Sequence, residues 1–228
     1  MSKEEKLGDY METFKLPFSK QFGKLAKHPP LGKLALITVA LVILRVAVGM
    51  FIVIPNDTGI GGFMVGIINP ILVLGFLVRS LLSLSVTGFA VFLMFLGVLA
   101  IVRISQMFIK EGVALSGVLF LMIIVTAYRI FLQVIQVVFN IPVQTTPGFS
   151  IDSLALFKPE NVWISKLSLD LLLNTILFAI LLRYTAKLPK KLVIIWTGIF
   201  LIIFYFSGIF FEWINFLHFN FRFDGWRY

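Results

Sequence analysis

The sequence predicts an all-α polytopic membrane protein, with five transmembrane helices (six if residues 60–78 also cross) preceded by a basic amphipathic interfacial helix. Three observations predict it. Of 228 residues, 59% are hydrophobic and only 14% charged, with a mean hydropathy of +1.00; a soluble domain of this size would lack the polar surface to cover itself. Apolar runs of about 20 residues, the length that crosses a hydrocarbon core, recur along the chain. Lysine and arginine gather in short segments between alternate runs, as they do in cytoplasmic loops. The formal charge of +9 therefore reads as topology signal and contact with anionic lipid, not as a footprint for nucleic acid.

Residues 1–32 form a cytoplasmic head. Leu7, Met11, Phe14, Phe18, Phe22 and Leu25 recur at helical spacing, with Lys15, Lys20, Lys24 and Lys27 between them. Pro17 suits the first turn of a helix that His28-Pro29-Pro30 stops near Lys27. Such a helix is expected to lie in the interface, with Phe18 and Phe22 toward lipid and Lys15, Lys20, Lys24 and Lys27 among anionic headgroups. An ordinary polybasic flank is the plainer reading of the same residues. About thirty polar residues precede the first apolar run, too many for a signal-peptide n-region, so that run is expected to remain as an anchor.

A helical bundle is expected over 33–216. Its spans fall at about 33–54, 84–102, 112–140, 166–185 and 193–216. Between the first two, "GIGGFMVGIINPILVLGFLVRS" is long enough to cross, but its glycines and Asn69-Pro70 weaken it as a straight helix. Charge arbitrates. With five spans, thirteen basic residues fall inside and five outside, and the dense Arg183/Lys187/Lys190/Lys191 turn stays cytoplasmic. With six, that turn would have to be translocated. Five spans with the N-terminus in the cytoplasm is therefore the expectation, and 60–78 is re-entrant or interfacial. An aromatic tail, 217–228, closes the chain and suits an interfacial belt or a docked partner.

The polar groups inside the spans are the candidate site. Thr126, Arg129, Gln133, Gln136 and Asn140 follow at steps of 3, 4, 3 and 4, which makes one stripe on a helix. Consecutive spans alternate in direction, so Arg129, Asp170 and Glu212 are expected at similar depth, with Arg45 near the middle of the first span. Charges in a bilayer are costly unless paired or hydrated. The expectation is that Arg129 pairs with Asp170 or Glu212, with Asn174 and Gln133 completing the hydrogen bonding. Alternatively the two carboxylates lie in the headgroup layer. The stripe itself would glue helices together or line a path. No acid lies at mid-span, as a proton or ion path usually requires, which favours glue.

Catalytic chemistry finds no support. Cysteine is absent and the two histidines, His28 and His218, lie outside the spans, so no metal site, haem or other cofactor is expected. There is no HExxH, GxSxG, P-loop or dinucleotide pattern, and "GIGGFMVG" lacks the GK[ST] ending of a phosphate loop.

Three stretches carry a resemblance to a known family. They are "LPFSKQFGKLAKHPPLGKLALITVAL", "FLMFLGVLAIVRISQMFIKEGVALSGVLFLMIIV" and "SLALFKPENVWISKLSLDLLLNTILFAILLRYTAKLPKKLVIIWTGIFLI". In order, they resemble the Pro-Phe opening, basic helix and first span, then the second and third spans, then the last two spans of the Yip family in its bacterial and archaeal form. The aromatic-Trp element that often follows the span-four aspartate is replaced here by "LLLNTILF". The resemblance implies five spans and a non-enzymatic role beside other membrane machinery, transport systems included. The expected function is thus a non-catalytic accessory or scaffold protein of the inner or plasma membrane that associates with other integral membrane proteins. A small transporter or channel with a polar path around Arg129, and a subunit of a respiratory or photosynthetic complex, are the alternatives.

Overall fold

The computed structural model describes residues 18–53, 70–139 and 167–223, with side chains at 18–49, 73–139 and 167–207. Every regular element there is a helix: α1 (Ser19–Leu25), α2 (Leu31–Val53), α3 (Pro70–Ile104), α4 (Glu111–Val138), α5 (Leu169–Ile180) and α6 (Lys190–Phe223). A π-helical turn, Leu181–Thr185, continues α5. Four of these, α2, α3, α4 and α6, are long and apolar enough to cross a membrane, which fits an integral membrane protein. Helix α5 and its π turn are shorter, with twelve α-helical and five π-helical residues.

Side-chain contacts fix the relative directions. A Cβ on Gly112 would stand 3.6 Å from Leu31, and one on Gly49 would stand 3.4 Å from Gln133 Nε2. The chain advances the same way between both contacts, so α2 and α4 run parallel. Arg129 meets Asp170 at one end of α5, while Gly117 meets Leu181 and Thr185 at the other; α5 therefore runs antiparallel to α4. Stacking of Phe178 on Phe200 (4.1 Å), with the short connection from Thr185 to Lys190 as the second point, sets α6 antiparallel to α5. Trp196 Nε1 donates to Ser105 Oγ (3.2 Å), joining the start of α6 to the end of α3.

The core lies on α4, whose Ala114, Gly117, Val118, Leu121 and Val125 are buried against Leu177, Phe178, Leu181 and Leu182 of α5 and its π turn. Outside, the bundle is greasy: Leu36, Leu81, Val86, Phe89 and Ile194 each expose over 60% of their surface. That much bare hydrocarbon suits a lipid solvent. Several hydroxyls on the helices bond to their own backbone, as Thr38 to Leu34 O (2.8 Å) and Thr175 to Leu171 O (2.8 Å) do. That satisfies them without water.

Tight turns close one end. Gln106 takes a left-handed φ of 55°, and Met107 N–H donates to Val102 O while Gln106 N–H donates to Arg103 O, the Schellman pattern with glutamine where glycine is usual. Lys187 is also left-handed (φ 57°) after the π turn, where Leu188 N–H donates to Leu182 O, and Arg183 Nη1 donates to Leu188 O (2.9 Å) across it. Lys20, Lys24, Lys27, Lys33, Arg103, Lys110, Arg183, Lys187, Lys190 and Lys191 all belong to this end. We refer to it as the basic end.

Two elements depart from the sequence expectation. Pro70–Ile104 is one helix of 35 residues, so positions 70–78 of the glycine-rich stretch continue into the 84–102 span without a break; residues 60–69 and the 141–165 loop lie outside the described residues. At the rise of an α-helix, 35 residues cover roughly 52 Å, well beyond a hydrocarbon core of about 30 Å. Helix α6 runs to Phe223, so the first half of the aromatic tail is helical.

Candidate functional site

The polar stripe of α4 faces the seam between α2 and α5. Phe131, Val134, Val137 and Val138 take the exposed sides of the same turns, whereas Thr126 is 4% exposed. Helix periodicity places Phe131 and Val138 opposite the polar stripe, and the bundle turns the polar side inward because its partners lie inside.

Arg129 and Asp170 form a two-pronged ion pair. Arg129 Nε donates to Asp170 Oδ1 at 3.1 Å, and Nη2 donates to Oδ2 at 2.7 Å. The fork of the guanidinium matches the carboxylate, which makes this geometry stronger and more directional than a lysine pair. The side chains are 33% and 19% exposed, so the pair is sheltered but not sealed. Asp170 is held by the local structure of α5. Ser168 caps the helix by accepting from Leu171 N–H (3.2 Å), placing Asp170 in the first turn, where a negative charge also suits the helix dipole.

The other members of the expected network take different parts. Asn174, 3% exposed, donates from Nδ2 to the backbone carbonyl of Asp170 (2.8 Å), so it braces the turn that carries the carboxylate and does not touch the guanidinium through that bond. Gln133 turns toward α2, against Gly49, and its Oε1 is buried with no hydrogen-bond partner among the described residues. Arg45 is near enough to Arg129 and Asp170 to interact electrostatically with both. Register explains why: Arg45 is one turn before Gly49 and Arg129 one turn before Gln133, and Gly49 and Gln133 touch on parallel helices. Gln136 lies partly buried further along the stripe. Asn140 and the side chain of Glu212 lie outside the described residues.

At the basic end, the head differs from its expected position. Lys20, Lys24 and Lys27 are exposed, but Phe22 is fully buried, its ring edge-on to Phe120 of α4 at 5.0 Å, and Phe18 meets the same ring at 6.3 Å. Thr185 Oγ1 donates to Phe22 O (3.4 Å). Phe22 therefore faces protein, not lipid, because the groove between α4 and the π turn offers it an aromatic wall. Lys15 lies outside the described residues. The π turn was not anticipated from the sequence; its widened backbone gives no pattern that periodicity can read.

Comparison with protein-family models, with curated proteins and with solved structures found no match.

Proposed function

We propose that this chain is a non-catalytic integral membrane protein, a Yip-like accessory or scaffold subunit that associates with other membrane proteins. One observation carries the reading: the strongest polar groups of the described spans are engaged in holding helices together. Arg129 and Asp170 clasp α4 to α5 and Asn174 braces that clasp, which is the part expected of polar residues acting as glue. In this reading α5 with its π turn is the fifth span, and the basic end faces the cytoplasm of a cell with this protein in its inner or plasma membrane. Lys20, Lys24 and Lys27 then contact anionic headgroups from the outer face of α1.

The test is purification from native membranes in mild detergent with identification of co-purifying proteins. A membrane partner at fixed stoichiometry is the expected result. A chain that elutes alone and monodisperse would point instead to the transporter reading, which the partial exposure of Arg129 favours. Solute flux into liposomes would then be the next measurement.

A further inference from the structure

Helix α1 lies beside the bundle, not above it. Its Phe22 meets Phe120, nine residues into α4 from Glu111 and so about 14 Å along the helix axis. Thr185, which donates to Phe22 O (3.4 Å), stands against Gly117 at a similar level. α1 therefore sits on the flank of the apolar part of α4. Lys20, Lys24 and Lys27 are exposed there. The stretches that contain α1 and the π turn hold no acid of their own, from Thr13 to Asn56 and from Leu171 to Phe211. Ammonium groups held on the flank of a membrane bundle extend to the headgroups, and an anionic leaflet is the surface they fit.

Docking of α1 is finely balanced. Phe22 and Leu25 are buried by it, but a helix of seven residues does not hold itself. Phe18 opens it at a left-handed φ of 65° with no side-chain cap, a conformation uncommon outside glycine. Ordering these residues offsets much of what burying two side chains contributes. A lysine beside an anionic leaflet shifts such a balance roughly fivefold, and three shift it roughly hundredfold. The element beneath α1 is the π turn, a rare structure found mostly at functional sites. Ala186 N–H donates to Leu181 O and Leu188 N–H to Leu182 O, both at 3.1 Å. Thr185 ends this turn and bonds to Phe22, so loss of α1 uncovers it.

We propose that α1 is a latch closed by anionic lipid. Headgroups on Lys20, Lys24 and Lys27 hold Phe22 in its seat, and the seated Phe22 holds the π turn and the connection into α6. The inference rests on the headgroup contacts proposed above for these lysines and adds what those contacts control.

The experiment is hydrogen exchange of the full chain in nanodiscs of phosphatidylglycerol or of phosphatidylcholine, read by mass spectrometry in peptides covering 19–26 and 181–188. Wild type is compared with the triple variant Lys20→Gln, Lys24→Gln, Lys27→Gln, whose glutamines keep the helix propensity of lysine, and with Phe22→Ala. In wild type both peptides should exchange at least about tenfold more slowly in phosphatidylglycerol. The triple variant should lose that difference at both. Phe22→Ala keeps the lysines, so its 181–188 peptide should lose the difference even where α1 still meets lipid. Slower exchange at 19–26 alone would leave the headgroup contact standing and overturn the latch. No difference at either peptide would overturn both, and is the result expected if Glu4, Glu5, Asp9 and Glu12 already neutralise the lysines. A 181–188 difference that survives in Phe22→Ala would show lipid acting on Arg183 and Lys187 directly, and the latch would fall. None of these outcomes depends on a co-purifying partner.

Discussion

Asp170 is shared among several roles at once. Its carboxylate accepts two bonds from Arg129, its carbonyl accepts from Asn174, and its position depends on the Ser168 cap. Removing one partner of the ion pair leaves the other charge without its best ligand in a poorly hydrated place. Arg129→Gln or Asp170→Asn should therefore each destabilise the bundle by about 1–3 kcal/mol, discounted from the fully buried case because both groups are partly exposed. The double variant should cost less than the sum of the two, with a coupling of about 1 kcal/mol in a thermodynamic cycle. Strictly additive losses would show that the pair contributes nothing as a pair. The meeting of Arg129 with Asp170 could be read from sequence because alternation of spans equalises their depth. The turning of Gln133 toward Gly49 could not, since nothing in a stripe says which neighbour each member faces.

Helix α1 is seven residues long and would not persist alone in water. Its order comes from Phe22, buried between Phe120 and the π turn. Phe22→Ala should remove about 3 kcal/mol of docking energy, and trypsin should then cut at Lys20 and Lys24 at least tenfold faster while the rest of the bundle stays protected. An unchanged cleavage rate would mean that α1 is held by something other than Phe22. Gly117 is the complementary constraint on the α4 side. A Cβ there would stand 3.2 Å from Thr185 and 3.3 Å from Leu181, so Ala requires a shift of a few tenths of an ångström and a larger side chain cannot be seated. Gly117→Leu should lower the thermal midpoint sharply, with Gly117→Ala close to wild type, as differential scanning fluorimetry in detergent would show. An amphipathic pattern tells that Phe22 has an apolar partner, but lipid and protein satisfy that pattern equally. This is why the docked position of α1 was not legible in the sequence.

On the scale of the whole molecule, the long helices were legible because apolar length is a sequence property, whereas the union of 70–78 with 84–102 was not. Glycines and Asn69-Pro70 weaken a helix locally, yet Pro70 stands at the first position of α3, where proline is well tolerated, and no break follows it. The alternation of contacts orders α2, α4 and α6 in one direction, with α3 and α5 in the other. If α5 with its π turn crosses the membrane, the depth match of Arg129 with Asp170 and the confinement of the basic end to the cytoplasm both follow. The chain has no cysteine, so a single introduced thiol reports without background. The most direct measurement is labelling of Thr146→Cys and Lys187→Cys, which flank α5, with a membrane-impermeant maleimide in intact cells and after permeabilisation. Five spans predict that position 146 reacts in intact cells and that position 187 reacts only after permeabilisation. Both positions reacting on the same side would contradict the fifth span, and with it the cytoplasmic assignment of the basic end.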